Sequence, residues 1–164
     1  MTVREDDIRR ADGSAGIYGV IDKPTYALII PMDGDRFLLV DQFRYPVGKR
    51  CWEFPQGTAP DRAEVEPAEL AARELREETG LRAGRMIELA VVHCAPGMVN
   101  QFGRVFLALD LVEGEPEREH EEQDMQTAWF RREELEKMIL AGEFSDAQSL
   151  AAYTHLMLSG RLRP

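Results

Sequence analysis

The sequence predicts a mixed α/β layer fold on a largely antiparallel or mixed sheet. Three observations predict it. Apolar, β-branched stretches and amphipathic helical stretches follow one another as strands, one helix, strands, then two helices. That order lacks the regular strand–helix–strand winding of a parallel sheet. No internal repeat or long linker divides the 164 residues, so 1–164 reads as a single domain with room for a real core.

Residues 1–20 are mostly polar and charged and read as an N-terminal arm or edge element. "TYALIIPM" (25–32) is a strand ended by a turn at "DGD", and "RFLLVDQFR" (36–44) is the second arm of a hairpin. Pro46, Gly48, Pro55 and Gly57 punctuate "YPVGKRCWEFPQG", leaving a loop, a short strand around 52–54 and a turn. Residues 58–66 form a polar loop. A helix begins at Pro67, a favoured first-turn residue, and stops at Gly80. Ala68, Ala71, Ala72, Leu75 and Thr79 fall on one side of it. Residues 85–95 and 103–113 read as strands, 113–124 as an acidic loop, and "MQTAWF" as a short strand. A helix over 132–141 turns Leu135, Met138 and Ile139 inward. The last helix begins at "SDAQ", where Ser145 and Gln148 have capping-box spacing.

Apolar residues make up 44% and charged residues 30%, and the net charge is −10. That balance opposes nonspecific binding to nucleic acid or to an anionic membrane. An acidic chain that handles an anionic substrate needs metal ions or a local basic patch. "MTVREDDIRR" has no apolar run of a signal peptide, and no stretch approaches a membrane span. Cys51 and Cys94 show no ligand spacing and read as thiols in a reducing cytoplasm.

The informative stretch is "RELREETG", 73–80. On a helix Glu74, Glu77 and Glu78 stand at i, i+3 and i+4 and share one face. They lie near the helix C-terminus, where the macrodipole disfavours carboxylates. One reading is a solvated acidic face balanced by Arg73 and Arg76. The other is an all-oxygen site for a hard cation, Mg²⁺ or Mn²⁺, which bridges to substrate phosphate.

The stretch from Gly57 to Leu81 resembles the Nudix box, G-x5-E-x7-REUxEExGU with U apolar: Arg73, Glu74, Leu75, Glu77, Glu78, Gly80 and Leu81 all match. The first half departs, because 73 − 57 = 16 is two positions longer than the pattern. Val65 stands where the pattern has an acid, flanked by Glu64 and Glu66. The resemblance implies an α/β/α sandwich and hydrolysis of a nucleoside diphosphate linked to another group. It implies Mg²⁺ or Mn²⁺ held by Glu74 and Glu78, with Glu77 a further ligand or base. The carbonyl of Gln56 completes the shell and Arg73 orients a neighbouring glutamate.

Three further stretches resemble the ADP-ribose and ADP-sugar pyrophosphatases. Pro96 lies 96 − 81 = 15 positions past the box, in "CAPGMVNQ", with Gln101 where an acid is often seen. "VDQFRYPVGKRCWEFPQG" is similar to that subfamily's "QYR…WELPAG" run, which implies Arg44 on substrate phosphate and Glu53 near the nucleoside. With them Trp52, Gly57, Pro96 and Gly97 are candidate substrate-binding residues; core packing for Trp52 and an ordinary turn for Pro96–Gly97 are the alternatives. In "EREHEEQDMQTAWF" the resemblance implies a water-activating acid, Glu121 or Glu122, with Gln123 where a second acid is common. It also implies a homodimer formed through the N-terminal region and the "QFR" hairpin. The expectation is a cytoplasmic pyrophosphatase acting on ADP-ribose or another small nucleotide sugar, without nucleic acid or membrane. Another NDP-sugar, a dinucleoside polyphosphate, and an ADP-ribose sensor that does not cleave stay open as rivals.

Overall fold

Two parallel strands, β3 (Tyr26–Asp33) and β8 (Phe102–Val112), lie side by side near the middle of a seven-stranded sheet. The computed structural model describes residues 1–59, 65–118 and 120–162, with Glu121 in its backbone alone. β4 (Arg36–Arg44) and β5 (Lys49–Glu53) extend the sheet on one side of β3, and β7 (Arg82–His93) extends it beyond β8. β6 (Gln56–Thr58) pairs with β3, and β9 (Gln126–Arg131) pairs with β4. All pairings but β3/β8 are antiparallel, so the sheet is mixed.

Strand alternation sorts the core into two layers. Tyr26, Leu28, Ile30, Val105 and Leu107 pack on one face with Leu135 of α2 (Arg132–Ala141) and with Ala152 and Leu156 of α3 (Ala147–Leu158). Ala27, Ile29, Phe106 and Ala108 pack on the other with Leu70, Ala71 and Leu75 of α1 (Pro67–Thr79). Because both faces are covered, the central strands are apolar on consecutive positions, the run seen in "YALII". This is the α/β/α sandwich with a mixed sheet that the sequence suggests.

Several details differ from the sequence reading. The N-terminal stretch is an antiparallel ribbon of β1 (Thr2–Arg9) and β2 (Ala15–Asp22), paired from Thr2↔Asp22 to Arg9↔Ala15. It joins the body through Ile21, whose N–H donates to Met98 O at 2.8 Å and whose carbonyl accepts from Asn100 N at 3.2 Å. "QGT", read as a turn, is the strand β6. The cap of α3 is Asp146, which accepts from Ser149 N at 2.8 Å; Ser145 and Gln148 do not form the expected box. On α1, Ala68 and Ala72 are exposed, while Leu70, Glu74 and Glu78 are buried with Ala71 and Leu75. Alanine is a weak marker of a buried face, and here two carboxylates occupy it.

Candidate active site

α1 begins at Pro67, which lacks the N–H that a first turn leaves unused. It ends at Gly80, whose φ of 77° lets its N–H reach Arg76 O. A Cβ at position 80 would also stand 2.1 Å from Gly114 O. These stops place the second half of α1 beneath β6. Gly57 of β6 lies directly against Glu74: a Cβ there would stand 2.1 Å from Oε2. Glycine is therefore what lets the β6 backbone and the Glu74 carboxylate share this space.

Glu74 and Glu78 lie under that contact, 7% and 1% exposed. Neither carboxylate oxygen of Glu78 has a hydrogen-bond partner among the described residues. Burial drives its carboxyl well above the ordinary range, and the charges of Glu122 and Glu74 push the same way. The Arg44 charge and the Gln56 main chain oppose the shift, yet neither closes a hydrogen bond to the carboxylate. Burial likewise pushes Glu74 up to about 7, opposed by Arg73 and reinforced by Glu77. Arg73 sits between the acids, 3.5 Å from Glu74 Oε1 and 3.7 Å from Glu77 Oε2. Glu77 also approaches Arg76 at 3.7 Å.

Leaving a carboxylate buried and unpaired costs several kcal/mol (~1–3 for the lost hydrogen bond alone, more for the charge). A hard cation is the partner that this donor set fits: oxygen only, anionic, and walled off from bulk water. Among the described residues no three His, Cys, Asp or Glu side chains already converge on one point.

A cleft of about 620 Å³ opens beside Gly57, in the size range of small-molecule sites. Arg44, Glu53, Gln56 and Gly57 line it, whereas Glu74, Glu77 and Glu78 are not among its lining residues. Glu53 is buried and held by Arg44, whose Nε donates at 2.9 Å to Oε1 while Nη2 reaches Oε2. The Gln56 amide donates to Glu53 Oε2 at 3.0 Å and to Asp146 Oδ2 at 3.3 Å. Phe54 N–H donates to the buried Ser149 Oγ at 3.0 Å. Strand β5, the β5/β6 connection and the start of α3 are thereby tied into one wall.

Trp52, Pro96 and Gly97 do not line this cleft. Strand alternation turns Trp52 away from Cys51 and Glu53 and sets it edge-on to Phe130 at 4.9 Å. Gly97 O accepts from Tyr18 Oη at 2.6 Å, so the Pro96–Gly97 turn seats the N-terminal ribbon. Sequence reasoning missed Lys23, Tyr26, Lys49, both cysteines and Asp146 as lining residues. They come from distant segments and share no residue type, so nothing in the sequence groups them; only Lys23 and Lys49 bring cationic charge.

Glu122 sits in a 3-10 turn, His120–Glu122, close enough for its charge to act on Glu78 and Glu74. The side chain of Glu121, and all of Glu64, lie outside the described residues. Val65 packs against the α1 core layer rather than facing the acids. Gln123 donates to Arg118 O, and Gln101, buried, donates to Pro24 O at 2.8 Å. No helix among the described residues is long and apolar enough to cross a membrane.

Residues 22–153 match the model of the NUDIX domain. The chain is 35% identical to an ADP-ribose pyrophosphatase of Mycobacterium tuberculosis, over the whole of this chain and 81% of that protein. It is 29% identical to an ADP-ribose pyrophosphatase of Bacillus subtilis, over 96% of this chain and 85% of the relative. Among solved structures, an ADP compounds hydrolase shares the fold with a TM-score of 0.85 at 19% identity, over 97% of this chain and 85% of the other.

Proposed function

Since the chain belongs to the NUDIX domain family, we propose that it hydrolyses the diphosphate of a nucleoside diphosphate sugar, foremost ADP-ribose, with Mg²⁺ or Mn²⁺ as cofactor. The observation that carries this reading is Glu78: a buried carboxylate without a hydrogen-bond partner among the described residues, one helical turn from Glu74, which itself packs against Gly57 of the cleft wall. The two ADP-ribose pyrophosphatases that align over nearly the whole chain support the substrate.

In this reading Glu74 and Glu78 hold the cation, with Glu77 and the Gln56 carbonyl beside them. When bound, the cation neutralises diphosphate charge and lowers the pKa of the attacking water. Arg73 keeps Glu74 and Glu77 oriented. Arg44, fixed by Glu53, offers a guanidinium edge to phosphate, and Lys23 and Lys49 add positive charge to the cleft. Glu121 or Glu122 accepts a proton from water as its oxygen bonds to phosphorus. The phosphorus–oxygen bond of the bridge breaks, and AMP and ribose 5-phosphate leave.

A substrate panel tests the assignment. ADP-ribose should show the highest kcat/KM among ADP-ribose, ADP-glucose, GDP-mannose and diadenosine polyphosphates, each with Mg²⁺. A preference for another member moves the assignment within the family, and binding of ADP-ribose without cleavage makes the chain a sensor. The reading includes a homodimer in the cytoplasm. Exposed Val3, Ile17 and Tyr18 on the ribbon, with Phe43 near the end of β4 and Tyr45 and Val47 just after it, supply an apolar surface for a second copy. Light scattering should give twice the chain mass; a monomer at micromolar concentration contradicts it.

A further inference from the structure

Arg118 holds three separate parts of the site region together. Its Nε donates to Glu78 O at 3.0 Å, and Nη1 donates to Met125 O. Its own carbonyl accepts from Gln123 Nε2 at 2.8 Å. The adjacent Glu117 N–H donates to Glu77 O at 2.9 Å, and Met125 N–H to Glu122 O at 2.9 Å. A helix leaves its last carbonyls without intrahelical donors. On α1 Gly80 takes Arg76 O, and the acidic segment takes the next two, Glu77 O and Glu78 O. The guanidinium also lies where the macrodipole is negative and carboxylates are crowded, a favoured place for a cation.

We propose that Arg118 is a positioning residue that docks the acidic turn His120–Glu122 onto the end of α1 and so sets the proton acceptor in register with Glu74 and Glu78. This rests on the hydrolase reading above, with the acceptor drawn from Glu121 and Glu122. The reach of the side chain is what the role needs. One planar fork bonds Glu78 on the helix and Met125 at the far end of the turn, so helix and turn keep one geometry. A lysine keeps the charge but offers a compact point donor, which cannot span two carbonyls in this way.

The test uses the full chain, Mg²⁺ and ADP-ribose. Arg118→Ala should lower kcat by about 10- to 100-fold, the scale of a misplaced catalytic group, with KM within about twofold. The rise in melting temperature caused by Mg²⁺ should match the parent, because Arg118 bonds the Glu78 carbonyl and not the carboxylates of Glu74 or Glu78. Arg118→Lys should recover only part of kcat. Unchanged kcat in Arg118→Ala, with an active parent, overturns this inference alone. A lost Mg²⁺ shift overturns it too, by making Arg118 a brace of the metal acids. Full activity in Arg118→Lys overturns it by reducing the role to charge. A parent inactive on every nucleotide sugar sinks the hydrolase reading, and this inference with it.

Discussion

Glu78→Gln lowers turnover about a thousandfold and makes the metal-free protein more stable at neutral to alkaline pH. Both effects come from one carboxylate. At 1% exposure and without a hydrogen-bond partner among the described residues, its charged form lacks water and is crowded by Glu74 and Glu122. Glutamine keeps the shape and removes the charge, so the folded state no longer holds an uncompensated anion. On the proposed function, the same change removes an anionic ligand from the cation site, and the chemistry should go with it. Steady-state kinetics and calorimetry without metal read the two halves. Unchanged turnover would remove Glu78 from the site. A lower melting temperature would mean that the carboxylate has a stabilising partner.

The metal-free protein loses stability as pH rises from about 5 to 8, and a divalent cation cancels the loss. Glu74 has a folded pKa of about 7 against an ordinary 4.5, raised first by burial. Its protonated form is the one folding prefers. That contribution is complete below pH 4.5 and is lost as pH climbs through 7, about 3 kcal/mol in all. Glu78, whose carboxyl is also raised by burial, adds to the loss with the same sign. Glu136, held below its ordinary value by Arg132, titrates below this window and does not offset it. At a few degrees per kcal/mol the melting temperature should fall roughly 6–12 °C. Ligation requires deprotonated carboxylates, so the stabilisation by Mg²⁺ should grow over the same range. Calorimetric scans at pH 5, 6, 7 and 8, with EDTA and with Mg²⁺, give the curves. A metal-free melting temperature that rises through this range would mean that the acids are compensated within the protein.

What could be read in advance followed from burial pattern. β3, β4 and β8 carry continuous apolar runs because both sheet faces are covered, and α1 has Pro67 and Gly80 at its ends. The ribbon β1/β2 was hidden because its strands are largely exposed, so "TVREDDIR" has no apolar face to alternate. β6 was hidden because three residues, one a glycine, carry no pattern. The octet "RELREETG" reads as helical with Glu74, Glu77 and Glu78 about one turn apart, and α1 carries them so, with Glu74 and Glu78 buried. The orientation of α1 was not legible, since Ala68 and Ala72 look buried and Glu78 does not. Trp52 was assigned to the cleft by likeness of motif, while strand alternation turns it toward Phe130. The docking of Arg118 had no signal at all, because it joins 78, 118 and 125 only in the fold.

On the proposed function, buried acids on α1 hold a divalent cation that drives cleavage of a diphosphate. The most direct measurement is product analysis of ADP-ribose incubated with the metal-stripped protein, with and without added Mg²⁺. The expected result is equal amounts of AMP and ribose 5-phosphate when Mg²⁺ is present and none when EDTA replaces it. Intact ADP-ribose in both samples, or equal cleavage in both, would contradict it.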